Sequence, residues 1–264
     1  LGLAACKPST PVDEVQNKNH DDPKKIELIL FDCHFHGNKV HATAQEKGVK
    51  YLTREQVMIL EEVPGKGWQV SPKGVDRFIV YGGKEGVKTP DLSSIIDPAK
   101  RDWSDGSFVA EDQAGLADRQ YGLIIKMYDK EGKEITGQFA TNGEDKRHQF
   151  FFTARNIRPT KFGNPAMKFD DGDYQYMYYY YFDTDPWDKT LYSGAKYTGI
   201  SNPIGLKGFM EFPVTESRFE LQLTLLHARS SKFSGVGGRP SPFYGMTPKQ
   251  RATDVVDINL KWIP

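Results

Sequence analysis

Two segments near the C-terminal end of the chain, Arg218–Ala228 (RFELQLTLLHA) and Val255–Ile263 (VVDINLKWI), alternate apolar and polar residues with a period of two. Successive residues of a strand point to opposite faces, so each segment reads as a strand with one buried and one wet face. Four more stretches carry strand signals: Tyr121–Tyr128 (YGLIIKMY), His148–Ile157 (HQFFFTARNI), Tyr174–Phe182 (YQYMYYYYF) and Gly205–Phe212 (GLKGFMEF). The first should turn at DKEG and return along KEITGQFAT as a hairpin. Near the N-terminus, the apolar run Ile26–Phe31 enters an alternating segment, which predicts a strand over 26–36; a further strand is expected within Ser71–Tyr81. Residues 53–62 (TREQVMILEE) start with a Thr suited to capping and hold apolar residues at helical spacing, which predicts one short helix. Residues 84–118 are irregular, a length of loop uncommon in a compact domain. The pattern as a whole predicts an all-β, antiparallel domain, a sandwich or barrel-like fold with a minor helix.

Composition narrows the function. The 35 basic and 35 acidic residues balance, which gives no electrostatic footprint for nucleic acid. No segment reaches the ~18 apolar residues of a transmembrane helix. Two cysteines, Cys6 and Cys33, provide no disulfide framework if Cys6 is otherwise engaged.

Leu3-Ala4-Ala5-Cys6 resembles the lipobox of bacterial lipoproteins, in which a signal peptide is cut before a cysteine that then carries lipid. Small Ala4 and Ala5 suit a narrow peptidase cleft, and a polar, proline-punctuated stretch follows (KPSTPVDEVQNKNHDDPKK). The resemblance implies residues 1–5 as a signal-peptide remnant, lipidated Cys6 leading a flexible tether over 6–25, and a single β-rich domain over 26–264. It implies membrane attachment through the N-terminal lipid, a location at the bacterial outer membrane, and an outer-membrane receptor or transporter as a partner. Surface-exported lipoproteins of Bacteroidetes-type bacteria carry acidic residues directly after the cysteine. Here Asp13, Glu14, Asp21 and Asp22 come later, so surface and periplasmic exposure both stay open. His20 lies in the tether and is given no role.

His34, His36 and His41 form the densest histidine group in the chain. A two-residue turn at Gly37-Asn38 would set His36 opposite Lys39 and His34 opposite His41, bringing three imidazoles to one face. Such a face suits Zn, Cu or Ni, or a haem iron; the alternative is a polar sheet face that binds nothing. His148 or His227 could supply a further ligand, and His148 is taken as the fourth. Asp32-Cys33-His34-Phe35-His36 also resembles the D-x-H-x-H element of metal-dependent amidohydrolases, which implies a hydrolase with His34 and His36 as ligands on a barrel of alternating strands and helices. Tyr178–Tyr181 should divide into a core pair and an outer pair; Tyr178 and Tyr180, with Trp187, could stack on a sugar ring. Asp183–Asp188 reads as solvated turns, and Tyr192-Ser193-Gly194-Ala195-Lys196 as a chance Y-x-x-x-K spacing.

The expectation is therefore a non-catalytic, lipid-anchored envelope protein that captures a transition metal or haem through histidines. A glycan- or protein-binding sandwich using Tyr and Trp platforms is the alternative, and a hydrolase the minor one.

Overall fold

The computed structural model describes residues 19–36, 39–42, 56–80, 119–159, 176–189, 195–199, 201–212, 217–234, 238–245 and 255–262, with strand pairing alone for 31–36, 39–42, 119–120, 211 and 255–262. Twelve strands run β1 (Lys25–His36), β2 (Lys39–Ala42), β3 (Gln56–Val63), β4 (Gly67–Val70), β5 (Arg119–Tyr128), β6 (His148–Pro159), β7 (Tyr178–Tyr181), β8 (Thr184–Asp185), β9 (Lys196–Tyr197), β10 (Lys207–Glu211), β11 (Ser217–His227) and β12 (Val255–Trp262). The first sheet has the order β4-β3-β1-β5-β10-β7, with β2 also paired to β1; the second is β12-β11-β6, and β8-β9 forms a small ribbon. All pairs among these strands are antiparallel. The fold is all-β, as the alternation predicts.

Register explains the core. Leu28 faces Met58 on one side and Ile125 on the other, and Ile26 faces Leu60 and Met127. All six side chains are buried. They meet Phe150, Phe152, Leu221, Leu223 and Leu225 of the second sheet in one apolar cluster, the arrangement of a sandwich. Phe152 stacks on Tyr179 across the two sheets, with ring centroids 3.8 Å apart.

Several local expectations are corrected. Residues 56–62 are strand β3, paired to β1 and β4, instead of part of a helix. Val57-Met58-Ile59-Leu60 is a continuous apolar run, which fits either period; β-branched residues and two flanking strands decide for the sheet. The strand expected within 71–81 is instead β4, ending at Val70. The chain beyond it follows the β3 edge through Ser71 N–H to Ile59 O (2.7 Å) and Val75 N–H to Val57 O (2.9 Å). The DKEG turn forms, but its return arm pairs at a single bridge, Tyr128 to Glu134, and then enters a 3-10 turn over Thr136–Phe139. There Thr136 Oγ1 takes the Met127 N–H at 2.9 Å, which diverts the ladder. The Tyr174–Phe182 strand is confined to Tyr178–Tyr181 within its described part. Antiparallel sheets also exclude the barrel of alternating strands and helices that the D-x-H-x-H resemblance implies. The irregular stretch 84–118 lies outside the described residues, as do the lipobox and most of the tether.

Candidate metal centre

The end of the second sheet assembles a histidine group from distant parts of the sequence. In antiparallel β6 and β11, the first residue of one strand meets the last residue of the other, so His148 and His227 are direct cross-strand partners. Just before β6, Asn142 and Gly143 adopt left-handed φ values of 55° and 86°. Gly143 does so without a side-chain penalty. The resulting reversal starts a 3-10 turn over Glu144–Lys146 and places Glu144 four residues before His148. The fourth member is His20, from the segment that leads into β1.

These four side chains are buried: His20 is 8% exposed, Glu144 1%, His148 0% and His227 4%. One ligand atom from each lies within 4.8 Å of all the others. The three ring centroids are 4.5, 4.7 and 5.2 Å apart. Three imidazoles on a tetrahedral Zn(II), with Zn–N near 2.0–2.1 Å, would have centroids roughly 5 Å apart, so this spacing fits one small ion.

Hydrogen bonding prepares the donors. His20 Nδ1 lies 3.1 Å from Asp21 O, and His148 Nδ1 lies 3.0 Å from Glu144 O. A carbonyl only accepts, so each Nδ1 donates, and in the neutral ring each Nε2 would hold the lone pair. A bond from the other ring nitrogen to a carbonyl is the usual companion of a metal-ligating histidine. Glu144 Oε1 accepts from Arg147 (2.8 Å) and Asn19 (3.2 Å). Glu144 Oε2 has no hydrogen-bond partner and faces His148 Nδ1 at 3.3 Å and His227 Nε2 at 3.8 Å. A buried carboxylate oxygen in that position favours a cation.

A buried lysine braces the same corner. Lys232 Nζ donates to the carbonyls of Asp145 (2.6 Å), His148 (3.0 Å) and Pro203 (2.5 Å), tying the Glu144 turn to the start of β6. Burial pushes its ammonium down to about 7, against the pull of Asp183 and Asp145. Asp183 is no solvated turn residue. It is buried and accepts the backbone N–H groups of Ile204 (2.8 Å), Gly205 (2.8 Å), Leu206 (2.9 Å) and Lys207 (3.3 Å). Burial raises its carboxyl, and those backbone bonds oppose the shift.

The residues expected from sequence fall in four places. β1 and β2 pair in the expected register, His34 opposite His41 and His36 opposite Lys39, while the side chains of these strands lie outside the described residues. His148 joins the buried group. Tyr178 and Tyr180 are half-buried, with nearly parallel rings 6.4 Å apart. Trp187 packs on the core above Gly137, where a Cβ would come within 2.8 Å of its Nε1.

Two members escaped the sequence reading. His20 has polar neighbours in sequence, which suggest an exposed tether, yet it is buried. Glu144 carried one signal, its four-residue spacing to His148, which becomes informative only once the turn is known.

No family model, curated protein or solved structure matches the chain.

Proposed function

We propose that this protein binds one transition-metal ion, Zn(II) first among Zn, Cu and Ni, at His20, Glu144, His148 and His227, and does so as a lipid-anchored protein of the bacterial outer membrane. The observation that carries the metal reading is the convergence of three imidazoles and a carboxylate, buried, with two histidines already bonded through Nδ1 to carbonyls. Three nitrogens and one oxygen form a borderline donor set that suits Zn(II) in a closed, four-ligand site. Closure favours holding an ion over catalysis, because no ligand position is left for water. The enclosure also suits an ion and not a macrocycle, so a haem would belong elsewhere. The His34–His41 pairing of β1 and β2 keeps that hairpin as the haem candidate. The parallel Tyr178 and Tyr180 rings support the glycan- or protein-binding alternative.

The test is elemental analysis of untagged protein, followed by calorimetric titration of the metal-stripped form with Zn(II), Cu(II), Ni(II) and haemin. About one equivalent of metal is expected in wild type. His227→Ala and Glu144→Gln should each weaken Zn(II) binding by more than the roughly 10–100-fold typical of losing a group that only hydrogen-bonds a ligand. His34→Ala/His36→Ala should bind Zn(II) at this site like wild type and lose only haemin. Metal-free wild type that takes up no ion, or equal Zn(II) binding by His227→Ala, would overturn the reading.

A further inference from the structure

We infer that the bound ion latches the segment Asn19–Asp22 onto the sandwich, so that metal occupancy governs how firmly this segment is docked. This rests on the metal reading above. Three of the four ligands need no ion to be near one another. His148 and His227 are cross-strand partners, Glu144 sits one turn before His148, and Lys232 ties that turn to β6. His20 is different. It comes from a segment whose other members, Asn19, Asp21 and Asp22, are exposed, and it alone points inward before buried Pro23 and the Lys24 backbone bonds that begin the β1 ladder.

Hydrogen bonds at Asn19 and Asp21 help dock this segment. Asp21 N–H donates to Gln138 Oε1 (2.7 Å), and Gln138 Nε2 donates back to Asp21 Oδ2 (3.0 Å), both at exposed positions. Asn19 reaches Glu144 Oε1 at 3.2 Å, and the His20 ring lies 4.2 Å from that of Phe139. Exposed hydrogen bonds do little more than offset the chain freedom lost on docking. A metal–imidazole bond at His20 would add to this docking. Linkage is reciprocal: if the ion favours the docked segment, whatever favours docking must tighten the ion.

Gln138→Ala provides the test, since it removes both bonds to Asp21 and touches no ligand. Asp21→Ala serves as a second variant; it keeps the carbonyl that orients His20 and removes only the side-chain acceptor. Hydrogen exchange of peptides covering 19–22 is measured with and without Zn(II), and Zn(II) affinity is measured for wild type and both variants. The expected result is exchange slowed by Zn(II) across 19–22 in wild type, and affinity lowered about 5-fold or more in Gln138→Ala, the lower end of typical couplings. Zn(II) binding to wild type with exchange unchanged and all three affinities equal would overturn the latch and leave the metal site standing. No Zn(II) binding by wild type would overturn both.

Discussion

Among individual residues, the fate of a charge depends on what folds back over it. Asp183 and Lys207 show this outside the candidate metal centre. Asp183 gathers four backbone N–H groups, one of them from Lys207 itself. Lys207 Nζ donates to Thr184 Oγ1 and to Lys189 O (2.9 Å). Burial pushes this ammonium down to about 8 from its ordinary 10.5, against the pull of Asp183 and Asp188. The sign of the consequence follows. Between pH 8 and about 10.5 the unfolded chain holds a proton that the folded chain has given up, so unfolding free energy rises with pH across that window. Urea denaturation at pH 8 and pH 10 should show wild type gaining stability relative to Lys207→Met, which keeps most of the stem and cannot titrate; a gap that stays constant would remove Lys207 from the balance. None of this was legible in DTDPWD, because the donors to Asp183 lie some twenty residues further on. The metal group was partly legible for the same reason. His148 and His227 sit at ends of recognisable strands, and antiparallel pairing could have joined them. His20 and Glu144 depend on a polar lead-in and a tight turn whose positions no periodicity reports.

Strands were legible where burial leaves a clear period. Arg218–Ala228 keeps Phe219, Leu221, Leu223 and Leu225 in the core, as alternation predicts; from Thr224 onward both faces are buried, and Leu226 packs with Phe151 and Ala228 in a second cluster. The β1–β2 register followed from a two-residue turn alone. β3 was illegible because its apolar residues are contiguous, and its strand state comes from its neighbours in the sheet. The β10–β7 pair adds a steric constraint that pattern cannot show. Tyr179 lays its ring over Gly208 and donates its hydroxyl to Gly205 O at 3.1 Å. A Cβ on Gly208 would stand 2.2 Å from Tyr179 Cζ, so Gly208→Ala must displace a fully buried ring that also stacks on Phe152. Overpacking of this kind costs about 1–3 kcal/mol or more. Denaturant unfolding of Gly208→Ala should show at least that loss, and Gly208→Ala/Tyr179→Leu should recover part of it, since truncating the ring opens the space. A neutral Gly208→Ala would mean that the sheet edge yields without cost.

For the molecule as a whole, the two proposed attachments, a lipid and an ion, both fall in the N-terminal segment. The proposed lipid at Cys6 would join the chain to a membrane, and the proposed ion at His20 would join the same chain to the sandwich. If the ion binds there, the domain would begin in function before β1, at His20, and docking of that segment would shorten the tether. Fourteen peptide steps separate Cys6 from His20, a reach of at most roughly 45–50 Å when fully extended. An occupied metal site would then hold the sandwich within that distance of the bilayer. The two attachments predict opposite behaviour in a pair of variants made in the lipid-processed precursor. Cys6→Ala should leave the membrane fraction while keeping its metal and its thermal midpoint, because the cysteine is not among the four proposed ligands. His20→Ala should stay with the membrane, lose the metal, and melt at the temperature of chelator-treated wild type. A ligand at 1,000 times its Kd stabilises by about 4 kcal/mol, and at ~2–4 °C per kcal/mol for a chain of this size that amounts to roughly 10 °C. A chelator that lowers the midpoint of Cys6→Ala but not of His20→Ala would place the stabilising ion at His20. Equal shifts in both would place it elsewhere in the chain, and a Cys6→Ala protein that still sediments with membranes would remove the lipid from the account.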